Sequence, residues 1–324
     1  MSNINGTGSI NGTNSINGTN SINGTNSING TNNINGADNT ENTVKTGLVL
    51  EGGGMRGMYT DGILDVFLDQ GLSFDGVIGV SAGAIHGSSF VSGQRGRSIR
   101  YYKKYIRDNR FISMRNLVRT GDIAEVQFCY HDLPEKLDLY DYDAFNRSKT
   151  EFYAVCSNVE TGKAEYLPIT DMKEQIDRMR ASASLPLVSK IVKTAGLKLL
   201  DGGCTDSIPV KAFAKMGYNK DVVVLTRHKG YRKEKEGISL TKLVYRKYPE
   251  FVKAVYRRPS VYNHTLDEIE KWEEEGKIFV IRPSVPLTIG RMEADPKKIK
   301  EVYELGRDDA RRQIEDMKVF LGIE

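Results

Sequence analysis

Hydrophobic positions follow two unlike patterns along this chain. Up to about residue 43 they are sparse, and a single isoleucine recurs in each Ser-Ile-Asn-Gly-Thr-Asn unit, clearest from Ser9 to Asn32. From Val44 onward, short apolar runs alternate with longer amphipathic stretches. The runs at 47–51, 75–80, 151–157, 164–168, 197–200, 221–226 and 278–282 are apolar or alternating and bounded by Gly, Asp or Pro, which predicts strands. Helical periodicity is read over 57–70, 82–93, 97–108, 121–130, 172–184, 208–216, 240–256, 265–275 and 296–320. Asp295-Pro296 suits the start of the last helix, with Asp as cap and Pro at the first helical position. Strands alternating with helices predict an α/β fold whose mostly parallel sheet is covered on both faces.

The repeat divides the chain. One isoleucine per unit cannot bury enough surface to offset ordering, so residues 1–43 are expected to be disordered. A left-handed β-helix of hexapeptides is the sharper reading, but its isoleucine stripe is thin. The Asn-Gly-Thr triplets match a glycosylation acceptor, yet Met1-Ser2-Asn3-Ile4-Asn5 has neither the basic patch nor the apolar core of a secretory signal. The expected organisation is the repeat at 1–43, a catalytic domain at 44–230, and a charge-rich, mainly helical region at 231–324. That last region is either a small added subdomain or helices packed around the sheet.

Composition narrows the class. The 324 residues are 27% charged and 39% hydrophobic, enough for a sizeable core. No run approaches the roughly 18 apolar residues of a membrane span. Cys129, Cys156 and Cys204 are odd in number and lack a Cys-x-x-Cys pair, which argues against disulfides or zinc and for a reducing, cytoplasmic setting. The formal net charge of +4 is too mild for a dedicated nucleic-acid binder.

Three glycine-rich turns carry the candidate chemistry, each at the end of an expected strand. Gly52-Gly53-Gly54-Met55-Arg56-Gly57 follows the first strand, Gly79-Val80-Ser81-Ala82-Gly83 closes the second, and Asp201-Gly202-Gly203 follows 197–200. Open α/β sheets place their chemistry at such ends. Ser81 is the expected nucleophile, on a strand-to-helix turn tolerated because its flanks are small. Successive backbone N–H groups of this glycine run would form an oxyanion site, with Gly53 and Gly54 the candidate donors and Arg56 adding fixed positive charge. The base is less obvious. Asp201 can act directly if held in reach of the serine and partly desolvated. Of four histidines, only His228 and His264 follow Asp201, and His228 lies in a basic, solvated stretch.

The first turn also fits Gly-x-Gly-x-x-Gly, the dinucleotide fingerprint of a nucleotide-binding oxidoreductase. That reading needs an acid ending the second strand, whereas Asp75 begins it, and it leaves Ser81 and Arg56 without a role. Two further classes share the same motifs. An acyltransferase would use these residues but prefer an acceptor alcohol over water, and a catalytically silent binding module would not be labelled at Ser81.

Gly-Gly-Gly-x-Arg-Gly, Gly-x-Ser-x-Gly and Asp-Gly-Gly, in this order, resemble the patatin-like phospholipase family over roughly residues 46–226. Ala181-Ser182-Ala183-Ser184-Leu185-Pro186 resembles a small-residue and proline segment common there. The resemblance implies a three-layer α/β/α fold and a lipid acyl hydrolase that uses a Ser81–Asp201 dyad without metal or organic cofactor. It makes the Gly52–Gly57 loop the oxyanion hole, Gly79 and Gly83 the elbow glycines, and Gly202 and Gly203 the turn after the base. The implied reaction is hydrolysis of a carboxylic ester in a phospholipid, lysophospholipid or acylglycerol.

A lipid hydrolase without a membrane span must meet its substrate at an interface. Two basic-aromatic stretches suit peripheral contact with anionic membrane. One is Arg95 to Lys104 with Tyr101 and Tyr102; the other is Lys242 to Arg258 with Tyr245, Tyr248, Phe251 and Tyr256. The plainer expectation is that Leu243, Val244, Phe251, Val252 and Val255 face the core while Lys and Arg solvate the outer face.

Overall fold

The first strand, β1 (Thr46–Leu50), runs through the middle of an eight-stranded sheet and is buried along most of its length. The computed structural model describes residues 44–323 apart from Glu236 and Arg291, so the expectations for the hexapeptide repeat lie outside the described residues. The other strands are β2 (Gly76–Val80), β3 (Glu151–Asn158), β4 (Ala164–Pro168), β5 (Val192–Thr194), β6 (Leu197–Asp201), β7 (Lys220–Val224) and β8 (Ile278–Ile281). Their order is β5-β6-β3-β2-β1-β7-β8, with β4 also paired to β3. The pairs from β3 through β2, β1 and β7 to β8 are parallel, and β4, β5 and β6 form an antiparallel margin.

Alternation along the central strands separates two cores. Leu48 and Leu50 of β1 face one layer with Val77, Val222 and Val224, while Val49 faces the other with Ile78, Val80 and Val223. This two-residue period is that of a strand, and burial of each such side chain contributes about 1.5–3 kcal/mol. The first layer holds α1 (Gly57–Asp69), α2 (Ala82–Val91), α3 (Arg97–Tyr105) and α10 (Pro296–Leu321). The second holds α7 (Val210–Lys215) and α9 (Pro249–Glu274). The result is a three-layer α/β/α fold.

The C-terminal region is part of this structure. Thr43–Glu324 is one compact unit, and β8 extends the sheet beside β7. The helix α10 lies tightly along α1, because a Cβ at Gly62 would come within 2.1 Å of the Tyr303 carbonyl oxygen, and one at Gly306 within 2.1 Å of that of Tyr59.

Several boundaries depart from expectation. The helix expected over 121–130 is replaced by α4 (Met114–Thr120) and a wide π-helical segment at Phe128–Leu137. Ser113 caps α4, accepting from the Asn116 N–H, and Gly121 ends it at φ 80°. The helix expected over 172–184 shrinks to α6 (Ile176–Ser182). Gln175 instead folds back to accept N–H bonds from Thr170 and Asp171. The patterns at 240–256 and 265–275 resolve into α8 (Ser239–Val244) and a 26-residue α9 that continues through Pro259. The short edge strand β5 was not expected.

Candidate active site

The site is assembled where parallel strands end. Loops after β1, β2 and β7 meet at one edge of the sheet, and β6 reaches the same place from the antiparallel margin. Such crevices at strand carboxyl ends are the ordinary place for chemistry in open α/β sheets.

Ser81 directly follows β2 and directly precedes α2. Its backbone adopts φ 54° and ψ −120°, a strained conformation for a residue with a side chain. The strain is held in place by close packing. A Cβ at Gly79 would lie 2.5 Å from the backbone of Ala84, and one at Gly83 would lie 2.5 Å from the Leu50 carbonyl oxygen. The Ser81 N–H donates to Ser182 Oγ at 3.0 Å, and Ser182 in turn donates to the Val155 carbonyl at 2.7 Å. A small residue at 182 thus ties the serine turn to β3. The positive end of α2 points toward Ser81.

The glycine loop lies beside it. A Cβ at Gly52 would sit 2.9 Å from the Val80 carbonyl oxygen and 3.3 Å from Ser81 Cβ. Gly54 takes φ 58°, which only glycine adopts at little cost, and opens a 3-10 turn, so its N–H has no acceptor within that turn. A Cβ at Gly57 would meet Ala82 Cβ at 2.7 Å. Arg56, two residues after Gly54, is buried as well.

Sequence reasoning missed the anchor of this loop. Glu51 is 2% exposed, and its carboxylate accepts from the Thr226 N–H at 2.6 Å and from the Tyr262 hydroxyl at 2.7 Å. Two donors replace the water lost on burial. The loop is therefore pinned both to the end of β7 and to α9. The signal available in sequence was a lone acid closing an apolar strand, but nothing there pointed to Tyr262.

Asp201 ends β6 and is 3% exposed. Its N–H donates to the Ser184 carbonyl at 2.8 Å, its carbonyl accepts from Ser157 Oγ at 2.7 Å, and its Oδ1 accepts from the Gly203 N–H at 2.7 Å. Gly202 has no room for a side chain, since a Cβ would lie 2.3 Å from the Val155 carbonyl oxygen. The segment 181–185 therefore holds both halves of the site, through Ser182 to Ser81 and through Ser184 to Asp201.

Ser81, Asp201, Gly52, Gly53, Gly54 and Arg56 line a small cavity of about 30 Å3. Gly54, Ser81 and Leu185 also line a second cavity of about 190 Å3, whose walls include Met55, Tyr101, Tyr102, Phe111, Ile112 and Met179. A small recess holding polar and charged groups and a larger, mainly apolar one thus meet at the serine.

The histidines fall elsewhere. His228 is half-buried against Tyr231 and lines neither cavity, while His264 sits on α9 beside Glu268. Asp75 lies at the far end of the sheet, where its carboxylate accepts from the Thr46 N–H and hydroxyl at 2.7 and 2.9 Å. It cannot serve as the ribose-binding acid of a dinucleotide site. Among the described residues, no three His, Cys, Asp or Glu side chains are grouped to hold a metal ion.

Comparison with known proteins identifies the family. The family model described as patatin-like phospholipase matches residues 48–214, and this chain belongs to that family. A further model, described as a domain of unknown function (DUF6363), matches residues 248–322. The chain is similar to an uncharacterized protein, YjjU, of Escherichia coli strain K12, with 28% identity over 272 residues, covering 80% of this chain and 74% of that protein. Among solved structures it is similar to VipD from Legionella pneumophila, at 14% identity and a TM-score of 0.42, over 84% of this chain and 67% of that one.

Proposed function

We propose that this protein is a lipid acyl hydrolase acting through a Ser81–Asp201 dyad. The observation that carries the reading is the meeting at Ser81 of a cavity holding Asp201 and the glycine loop with a larger apolar cavity. The apolar recess would take the acyl chain and place its carbonyl over Ser81.

The reaction follows from the groups present. Ser81 Oγ attacks the ester carbonyl and gives its proton to Asp201. The charge that develops on the carbonyl oxygen is met by N–H groups of the Gly52–Gly54 loop, with Arg56 nearby. Donors aimed in this way are worth roughly 3–4 kcal/mol each in the transition state. Asp201 then protonates the departing alcohol. Water, giving its proton to the same carboxylate, releases the fatty acid from the acyl-serine. The Ser81 N–H is engaged by Ser182, which supports the glycine loop as a source of oxyanion donors.

The test is hydrolysis of a medium-chain p-nitrophenyl ester and of a phospholipid. Ser81→Ala and Asp201→Asn are expected to lower kcat by about 10^3-fold or more, and His228→Ala to have a mild effect. Activity that survives Ser81→Ala would refute the dyad; loss in His228→Ala as severe as in Asp201→Asn would transfer the base to histidine.

The site must also meet a lipid surface, and α8 is the proposed contact. Leu240, Leu243 and Val244 are exposed on it, beside Lys242, Arg246 and Lys247. Just beyond it, the Tyr245 hydroxyl accepts from the Leu187 N–H, two residues from Leu185 at the cavity wall.

A further inference from the structure

The small cavity contains more positive charge than ester hydrolysis needs. Besides Arg56, three cationic side chains line it: Arg227, Lys233 and Arg258. They face two carboxylates, Glu51 and Asp201. Glu51 is already bound to Thr226 and Tyr262, and Asp201 accepts from Gly203.

These cations are held in a built frame. The Arg227 guanidinium lies over the Tyr231 ring at 4.2 Å, and Tyr231 packs edge-on against Tyr262. The Lys233 ammonium lies over the Tyr262 ring at 4.6 Å. Asn263 fixes the backbone of Lys233 twice, accepting its N–H at 2.8 Å and donating to its carbonyl at 3.0 Å. Arg258 reaches in from α9 to the turn after Asp201, with Nη2 3.3 Å from where a Gly203 Cβ would stand. Its Nε is buried and makes no hydrogen bond. Among the described residues, no carboxylate pairs with Arg227 or Arg258, whereas the neighbouring acids Asp267 and Glu268 pair with Arg232 and Lys211.

Two guanidinium groups and an ammonium converging on a recess suit a compact dianion, since a guanidinium can grip two oxygens at once and a phosphate monoester carries nearly two charges at neutral pH. The recess holds only about two or three waters' worth of space, too little for an extended headgroup. It adjoins the apolar cavity at Gly54, Ser81 and Leu185, so an acyl chain held in that cavity would leave the recess to the leaving alcohol.

We propose that Arg227, Lys233 and Arg258 form a subsite for a terminal phosphate on the leaving alcohol, so that the favoured substrate is an acyl ester of glycerol phosphate. The inference rests on the ester-hydrolase reading above. Water adds across the acyl C–O bond, and fatty acid and glycerol phosphate leave; no other reactant is needed. All three residues lie beyond the segment matching the patatin-like family, and Arg258 lies within the one matching the domain of unknown function. That region thus completes the active site.

The experiment compares 1-acylglycerol with 1-acylglycerol 3-phosphate of the same chain on the full-length protein. The ratio of kcat/KM, phosphorylated over neutral, is expected to exceed about tenfold and to fall about tenfold or more in Arg258→Gln and in Arg227→Gln. A ratio near one in the parent, or an unchanged ratio in both variants, would overturn the subsite. Binding of the ether-linked 1-alkylglycerol 3-phosphate and 1-alkylglycerol to Ser81→Ala separates the two readings. Phosphate-selective binding lost on Arg258→Gln supports the subsite even if the parent hydrolyses neither ester, a result that would refute the hydrolase alone. Equal binding of the two ethers would sink the subsite. Inorganic phosphate competing as strongly as the alkylglycerol phosphate would assign the site to free phosphate and overturn the headgroup role.

Discussion

At the scale of single residues, the chain tolerates costs that point in opposite directions. Ser81 stores backbone strain at a turn where its hydroxyl meets two cavities. Asp221, by contrast, is a buried acid remote from that turn. It sits on β7 against Gly47 and Phe213, and its Oδ1 has no hydrogen-bond partner. Desolvation alone pushes its carboxyl up to about 7. Between roughly pH 4 and 7 the folded state therefore binds a proton that the unfolded chain does not. Stability from this group falls as pH rises through that window and is level above it. Asp221→Asn removes the decline. The stability gained over the parent is expected to be larger at pH 8 than at pH 5, by on the order of 2 kcal/mol. Urea melts at both values measure this, and an equal difference at the two would contradict the assignment.

At the scale of elements, the catalytic candidates were legible in sequence because strand-end glycines leave a local pattern. The Gly52–Gly54 run, the Ser81 turn and Asp201 each announce themselves within a few residues. What supports them does not. Glu51 finds Tyr262 on α9, and Ser81 finds Ser182, through contacts between elements far apart in the chain. Neither residue type is unusual where it stands. Helix bounds differ for a related reason: Gly121, expected to open a helix, ends α4 in a left-handed conformation, and α9 runs on through Pro259 between the two stretches expected at 240–256 and 265–275.

The second helical stretch was also misjudged in part. Phe251 is fully buried and Val252 and Val255 are packed, as amphipathic periodicity suggests, but Leu243 and Val244 are 65% and 54% exposed. Tyr101 and Tyr102 of the first stretch are buried, which removes them from any surface contact. The contact proposed for α8 sets apolar residues to enter the headgroup layer beside basic ones to meet anionic lipid. Flotation with vesicles containing phosphatidylserine should show salt-sensitive binding that Leu243→Asp with Val244→Asp reduces several-fold. Binding absent in the parent, or unaffected in the double variant, would remove α8 from the account.

At the scale of the whole molecule, the sheet serves as a common frame for parts that are distant in sequence. Loops after β1, β2 and β7 bring together the Gly52–Gly54 run, Ser81 and Arg227 at one cavity. The antiparallel margin delivers Asp201, and α9 closes the recess from the opposite layer while anchoring Glu51. Among the described residues no helix is long and apolar enough to cross a membrane. An isolated domain ending near residue 230 would lack Tyr262, which bonds Glu51, and Arg258, which lines the small cavity, so the C-terminal region contributes to the candidate site. All of this depends on Ser81 being the nucleophile. The direct measurement is intact-mass analysis of the protein after exposure to a long-chain alkyl fluorophosphonate, followed by peptide mapping. One adduct, located on Ser81 and much slowed in Asp201→Asn, is the predicted result. A protein that stays unlabelled while folded, or an adduct on another serine, would contradict the account.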